Sequence, residues 1–416
     1  MPSAAPLAAV ARAQHPCRSP KPAHRPMTVA AAALKQASPG ARASAAALSE
    51  GPSPLDEDAP SEEQRQPLFK FGLLSDVQHA DMDDGASFHG TPRYYRYALC
   101  QLDAAVDAMS AAGVAFCLHL GDLIDFHNSR LGVCADTELH HSEKALRVAL
   151  QHFDRLGRPT LHLLGNHELY QHSREELNRR LGISALQRGV VPHSYYTFHP
   201  APGFRFIMMD GYDVSILGWP PGHPGHEQAQ RLLSKHNPNE DKNSANGLEG
   251  VDRRFVKFGG GASAEQLAWL RGELESAAAA GERAIVACHL CFHPATCPGA
   301  CLLWNYDEVL QVLQRYPGTV VGTLAGHAHA DGFAADEAGI RHRVCKAVLE
   351  TPPGRECYGI VEVFADAIRI NGVDTFASEE WPLAPLGPPT AAAAAAPAGA
   401  PAAGEPAGKQ VAAVQA

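Results

Sequence analysis

Between Pro67 and about Leu383, short unbroken apolar runs alternate with segments of helical spacing. Phe69–Ser75, Val114–Leu120 and Pro159–Leu164 predict buried strands, as do Tyr195–Phe198, Phe204–Met209, Ala284–Cys288 and Thr319–Leu324. Between them, Tyr94–Ala112 predicts a helix with Leu99, Leu102, Val106 and Met109 on one face and Gly113 as its stop. Further helices are predicted over Ser142–Leu156, Ala264–Ala280 and Tyr306–Arg315, and short strands over Val344–Leu349, Tyr358–Val363 and Ile368–Val373. Alternating β and α with β pieces at the end implies an α/β fold: a two-sheet β-sandwich flanked by helices. No fixed-period repeat interrupts it.

The ends of the chain follow a different pattern. Residues 1–49 carry six basic residues and no acid, set in Ala, Pro and Ser, while residues 50–63 carry six acids and no base. An acid-free, Arg-bearing start is the composition of a transit peptide to chloroplast or mitochondrion. A plain disordered tail on a cytoplasmic protein is the alternative. Residues 1–66 are therefore read as leader and acidic linker, 67–383 as one folded domain, and 384–416 as an Ala/Pro-rich tail too poor in large side chains to order.

The basic and acidic N-terminal segments cancel, so residues 64–416 keep the whole net charge of −10. That balance excludes a nucleic-acid-binding surface, and no apolar run is long enough to cross a membrane. Ten cysteines lack the spacing of a disulfide scaffold, which fits a reducing compartment. A monomer is expected.

The chemistry falls at the ends of the predicted strands. Ser75-Asp76-Val77-Gln78 follows the first, Gly121-Asp122-Leu-Ile-Asp125 the second and Gly165-Asn166-His167-Glu168 the third. His289 and Gly326-His327-Ala-His329 follow two later ones. Carboxyl ends of strands are where α/β folds gather their sites. Hard oxygen donors mixed with imidazoles suit manganese, iron or zinc, and a shared carboxylate could bridge two ions. A single Gly-Asp is a cap or turn more often than a ligand; five clusters in this order are not explained that way.

With these motifs the chain resembles the calcineurin-like metallophosphoesterases, whose signature runs D-x-H, GD, GNH-D/E, H and G-H-x-H. Gln78 stands where most members have His. Within that superfamily it is most similar to the manganese-dependent ADP-ribose/CDP-alcohol diphosphatases, through Asp76-Val-Gln78, Gly90-Thr-Pro-Arg-Tyr-Tyr-Arg96, Gly165-Asn-His-Glu168 and Cys301-Leu-Leu-Trp-Asn-Tyr-Asp-Glu308. The similarity covers about residues 67–376. It implies two divalent ions, manganese first with zinc, iron or magnesium as alternatives. Asp76, Gln78, Asp122 and His329 would hold one, and Asp122, Asn166, His289 and His327 the other. It also implies a catalytic His167, which Asp125 could orient; a helix-cap role is the alternative for Asp125. Metals must supply the positive charge that an acidic protein does not offer an anionic diphosphate.

Around that centre the reading is more open. Arg93 and Arg96 would meet substrate phosphates or form a solvated helix face. Phe88 and Tyr94 would wall a nucleoside pocket or join the core. Cys301 is a pocket wall, with a structural zinc on Cys288, Cys291, Cys297 and Cys301 as the alternative. Residues 211–262 look poor in regular structure, a cap-like insertion with Tyr212 and Trp219 ordered and Asn237–Gly250 a mobile tip.

The function implied is hydrolysis of the pyrophosphate bond of ADP-ribose, CDP-choline or CDP-glycerol. A phosphomonoesterase or cyclic-nucleotide phosphodiesterase on the same core is the enzymatic alternative. A Ser/Thr protein phosphatase is excluded, because Gly121-Asp-Leu-Ile-Asp-Phe126 lacks the GDxVDRG of that family. A non-catalytic scaffold would have lost ligand positions, and here each is filled.

Overall fold

The computed structural model describes residues 65–187 and 193–385. The leader and nearly all of the tail assigned above lie outside them. In chain order the strands are β1 (Phe69–Leu74), β2 (Gly85–Ala86), β3 (Pro92–Arg93), β4 (Phe116–His119), β5 (Thr160–His162), β6 (Tyr196–Ala201) and β7 (Phe204–Met208). They continue with β8 (Arg283–Ala287), β9 (Val320–Ala325), β10 (Gly332–Ala335), β11 (Arg341–Val344), β12 (Cys357–Val363), β13 (Ala367–Asp374) and β14 (Glu379–Pro382). The α-helices are α1 (Tyr97–Ala112), α2 (His141–Asp154), α3 (Asn166–Leu169), α4 (Arg174–Arg180), α5 (Ile183–Leu186), α6 (Pro224–His236), α7 (Ala264–Ala280) and α8 (Tyr306–Leu313).

The apolar runs become the buried centres of two six-stranded sheets. One has the order β14-β13-β12-β1-β4-β5, the other β10-β11-β9-β8-β7-β6. β1, β4 and β5 are parallel, and so are β7, β8, β9 and β11; antiparallel strands close the flanks. Parallel strands covered on both faces need continuous apolar sequence, which is what these runs supply. Aromatic rings lock the sheets face to face. Phe71 and Phe116 stack with centroids 5.1 Å apart, and Phe206 from the other sheet meets each edge-on at 5.3 Å. No described helix is long and apolar enough to cross a membrane.

Several expectations need correction. Helix α1 starts at Tyr97 rather than Tyr94: Tyr95 and Arg96 form a turn leading into it, and the Tyr94 N–H donates to Leu349 O. The strand predicted over Val344–Leu349 lies earlier, at β11, and residues 345–349 form a loop zipped to the neighbouring strand ends. Residues 211–262 hold a full helix, α6, with Pro224 in its first turn and the His223 side chain accepting from Gly225 N. With it, Val214, Ala229, Leu233, Phe255 and Trp304 form a small second core. Asn237–Gly250 is no loose tip: the fully buried Asn237 amide donates to Ser244 O and Phe255 O. At the carboxyl end Ala384 still docks, its carbonyl accepting from Arg283.

Under the rim of the first sheet, His119 on β4 and His162 on β5 face each other, Nδ1 to Nδ1 at 3.3 Å, with Phe153 against both rings. Burial drives His119 down to about 4 and His162 well below its ordinary value. A histidine kept neutral by folding stabilises fully above its unfolded pKa of about 6.5 and loses that contribution as pH falls toward the folded value. For His119 the limit is on the order of 3 kcal/mol. Thermal unfolding followed from pH 7 to 4.5 should therefore show a falling Tm, and His162→Leu should flatten the slope. An equally steep slope in the variant would assign the acid sensitivity elsewhere.

Candidate metal centre

Every polar cluster singled out in the sequence lies just beyond the carboxyl end of a strand. β1, β4 and β5 of one sheet deliver Asp76 and Gln78, Asp122, and Asn166; β8 and β9 of the other deliver His289, and His327 and His329. Turning these side chains back toward the seam requires unusual backbone. Asp76, Gln78, Asp122, His327 and His329 all have positive φ, between 43° and 65°. Left-handed residues other than glycine cost on the order of 1–3 kcal/mol each and persist where surrounding structure dictates them. Here hydrogen bonds between the loops do so: Gln78 N to Asp122 O at 2.9 Å, Leu349 N to Asp76 O at 3.0 Å and Gly326 N to His289 O at 3.0 Å. Glycine is needed where loops touch. A Cβ on Gly165 would lie 2.0 Å from Asp122 Oδ1, and one on Gly326 would lie 2.1 Å from Ser75 Oγ.

Two overlapping ligand groups result. Atoms of Asp122, His289 and His327 lie within 4.8 Å of one another, as do those of Asp76, Asp122 and His329. Asp122 belongs to both. His289 Nε2 is 3.3 Å from Asp122 Oδ2, and His329 Nε2 is 3.4 Å from Asp76 Oδ1. Gln78 Nε2 lies 3.1 Å from Asp122 Oδ2 and 2.9 Å from His329 Nε2, while Gln78 Oε1 is buried without a partner. A half-turn of the amide exchanges its two ends. Asn166 Oδ1 accepts from Tyr212 Oη at 3.1 Å.

The electrostatics are those of a buried anionic centre. Burial raises the Asp122 carboxyl, but His289 and His167 more than offset it and hold the group below the usual range. Asp76 is likewise lowered, by His329 against its own burial. In return, and despite burial, Asp122 pushes His289 up to about 9 and Asp76 pushes His329 up to about 10. His327, desolvated and facing His289, falls to about 3. Buried carboxylates this close demand positive charge nearby.

His167 sits beside Asp122 with a choice of partners. Its Nδ1 lies 3.0 Å from Phe126 N and 3.2 Å from Asp125 Oδ2. The neutral ring can accept from the first, and the protonated ring can donate to the second. Asp125 is also a cap: its Oδ1 accepts from His127 N at the start of a 3-10 turn at Phe126–Arg130, while its Oδ2 stands beside His167.

The outer residues divide. Arg93 Nε donates to Glu350 Oε1 at 3.2 Å, and the same oxygen meets His329 Nδ1 at 2.8 Å. Arg96 is not brought in; Asp81 and Asp83 each hold it at 2.7 Å on the surface. Phe88, at the tip of the β2–β3 hairpin, is fully exposed, which excludes the core role weighed for it. Burial lifts the largely buried Cys301 thiol to about 12, so it offers surface rather than nucleophile. Its zinc alternative fails: among the described residues these cysteines form no ligand group. A third described cluster, Glu143, His172 and Glu176, has its glutamates paired with Arg180.

Three contributors escaped the sequence reading. Glu168 accepts from the N–H groups of Asp122, Leu123, Ile124 and Gly165, fastening two ligand loops together. Burial and Asp122 push it up to about 7. It stood inside the Gly-Asn-His-Glu string, which was the available signal. Phe258 reaches in from the insertion beside the Tyr212 expected there, its ring 5.9 Å from that of His327. Glu350 lay just beyond the misplaced strand and gave none.

A calcineurin-like phosphoesterase profile matches residues 69–331. A manganese-dependent ADP-ribose/CDP-alcohol diphosphatase of Oryza sativa is 41% identical over 318 residues, 76% of this chain and 94% of the relative. Its namesake in Homo sapiens is 37% identical, over 73% of this chain and 90% of the relative. Among solved structures, a dimetal phosphatase from Danio rerio superposes with a TM-score of 0.71 at 33% identity, covering 77% of this chain and all of that one. With the profile spanning β1 to the last histidine cluster and relatives aligned over nearly their whole length, the chain belongs to the calcineurin-like phosphoesterase family.

Proposed function

We propose that this protein is a manganese-dependent diphosphatase that hydrolyses the pyrophosphate bond of ADP-ribose and of CDP-alcohols such as CDP-choline and CDP-glycerol. The products are AMP or CMP and a phosphorylated sugar or alcohol. The observation that carries this reading is the pair of ligand groups sharing Asp122, in a chain about 40% identical to diphosphatases of that name. Asp76, Gln78, Asp122 and His329 would hold one cation, and Asp122, Asn166, His289 and His327 the other. Asp76 Oδ1 and Gln78 Oε1, buried without hydrogen-bond partners, fit that assignment. When bound, two divalent cations neutralise phosphoryl oxygens and lower the pKa of water.

The remaining work falls to side chains. Asp122 and Asp125 favour the protonated form of His167 against its burial, which prepares it to give a proton to the leaving phosphate oxygen. Asp125 accepts a hydrogen bond from Nδ1–H of the protonated ring, which leaves Nε2–H to face the substrate. Arg93 pairs with phosphate, Phe88 stacks on the nucleobase, and Cys301 lines the opposite wall. Every group named comes from one chain, so a monomer suffices. The net charge of −10 argues against nucleic acid as a substrate.

A manganese-supplemented panel of ADP-ribose, CDP-choline, CDP-glycerol, cyclic AMP and p-nitrophenyl phosphate tests the substrate class. The diphosphates should turn over fastest; a higher kcat/KM for cyclic AMP or the monoester than for every diphosphate would reverse the assignment. Asp122→Ala should lower kcat by about a thousandfold or more, since several kcal/mol of charge stabilisation is lost at both cations.

Gln78 offers a finer test. An amide oxygen is a weaker ligand for transition metals than imidazole, and histidine tolerates the left-handed backbone at this position. After identical chelator treatment, Gln78→His should regain full rate at about tenfold lower free manganese than wild type and should accept zinc better. A variant that needs more manganese would contradict a ligand role for Gln78.

A further inference from the structure

The two buried imidazoles that approach Asp122 and Asp76 with Nε2 are held from behind in different ways. His289 Nδ1 lies 2.7 Å from a backbone carbonyl, Leu120 O, which no substitution can remove. His329 Nδ1 lies 2.8 Å from the carboxylate oxygen of Glu350. That single oxygen, Oε1, also stands 3.2 Å from Arg93 Nε. All three side chains are largely buried, at 12% exposure for His329 and Glu350 and 19% for Arg93. The interactions are therefore poorly screened.

The position of Glu350 is dictated by the loop that precedes it. Cys345 N donates to Ala325 O, Ala347 N to His329 O, Val348 N to Ser75 O and Leu349 N to Asp76 O, at 2.8–3.3 Å. On the far side Leu349 O accepts from Tyr94 N, next to Arg93. The loop is thus fastened to both strand ends that carry Asp76 and His329, and to the segment that carries Arg93.

We propose that Glu350 is a positioning residue that couples the His329 half of the metal centre to the phosphate-pairing Arg93. This inference rests on the diphosphatase reading above. Accepting the Nδ1 proton fixes the tautomer of His329, leaves Nε2 bare toward Asp76 and Gln78, and strengthens that nitrogen as a donor. The same carboxylate anchors Arg93 through Nε and so sets the direction of its guanidinium. One side chain thereby sets both how tightly one cation is held and where substrate phosphate is met.

The test is manganese titration of chelated protein, with the free-ion electron paramagnetic resonance signal as readout, followed by kcat and KM for ADP-ribose at saturating manganese. Wild type, Glu350→Ala, Glu350→Gln and Arg93→Ala are compared, with the Glu350→Ala/Arg93→Ala pair. Glu350→Ala should weaken one of two manganese equivalents by about 10- to 100-fold and leave the other at wild-type affinity. Its KM should also rise. Glu350→Gln keeps an accepting oxygen but no charge, so it should restore most of the manganese affinity while KM stays raised. KM of the double variant should not exceed that of the worse single one.

Two equivalents bound at wild-type affinity by Glu350→Ala would overturn the proposal, as would additive KM effects in the pair. So would a Glu350→Gln variant that folds but recovers no manganese affinity. Should Glu350→Ala fail to fold, the isosteric Glu350→Gln carries the test through its KM and through a Glu350→Gln/Arg93→Ala pair measured in place of the alanine pair. A wild-type protein that takes up fewer than two equivalents would remove the dinuclear reading itself, a distinct failure visible before any variant is compared.

Discussion

One buried carboxylate, Asp122, is common to both ligand groups, and the loops of the site are bent to keep it there. Its backbone is left-handed, its loop is fastened by Glu168, and Gly165 lacks a Cβ because Asp122 occupies that space. Five strained non-glycine residues at one rim would be hard to explain as packing. They are tolerated because loop-to-loop hydrogen bonds leave them no relaxed alternative. The sandwich beneath supplies the rigidity, through the ring cluster of Phe71, Phe116 and Phe206.

From this centre the chemistry grades outward. The innermost shell is anionic and buried, and the histidines around it shift in opposite directions: His289 and His329, each facing a carboxylate, rise, while His327, desolvated and facing His289, falls. Beyond it lie side chains that act through others: Glu168 on the loops, Asp125 on His167, Glu350 on His329. Outermost are the hairpin with Phe88 and the insertion with Phe258, which differ in how firmly they are held. The hairpin tip stands free of the core, whereas the insertion has a core of its own.

Much of this was legible in the sequence, for a physical reason. Strands covered on both faces must be continuously apolar, so the central strands announced themselves, and each was followed at once by its polar cluster. The seven ligand candidates and His167 are brought to one rim as expected. What could not be read was longer in range. The loop at 345–349 is apolar because it packs under the site, which made it resemble a strand. α6 was hidden by the prolines and glycine before it, one of which turned out to start the helix. Arg96 and Arg93 look alike in sequence; only their distant partners, Asp81 and Asp83 against Glu350, separate them.

The ligand clusters come from both sheets, three strand ends from one and two from the other, spread over the chain from Asp76 to His329. No half of the sandwich could assemble either ligand group alone, since each group mixes residues from both. The site can therefore form only after the sheets have closed on each other, late in folding, when the most distant segments meet. Interactions absent from the folding transition state slow unfolding without speeding folding. A cation gripped across this seam would act as a rivet driven in at the end: it would lengthen the life of the native state and leave the time needed to reach it unchanged.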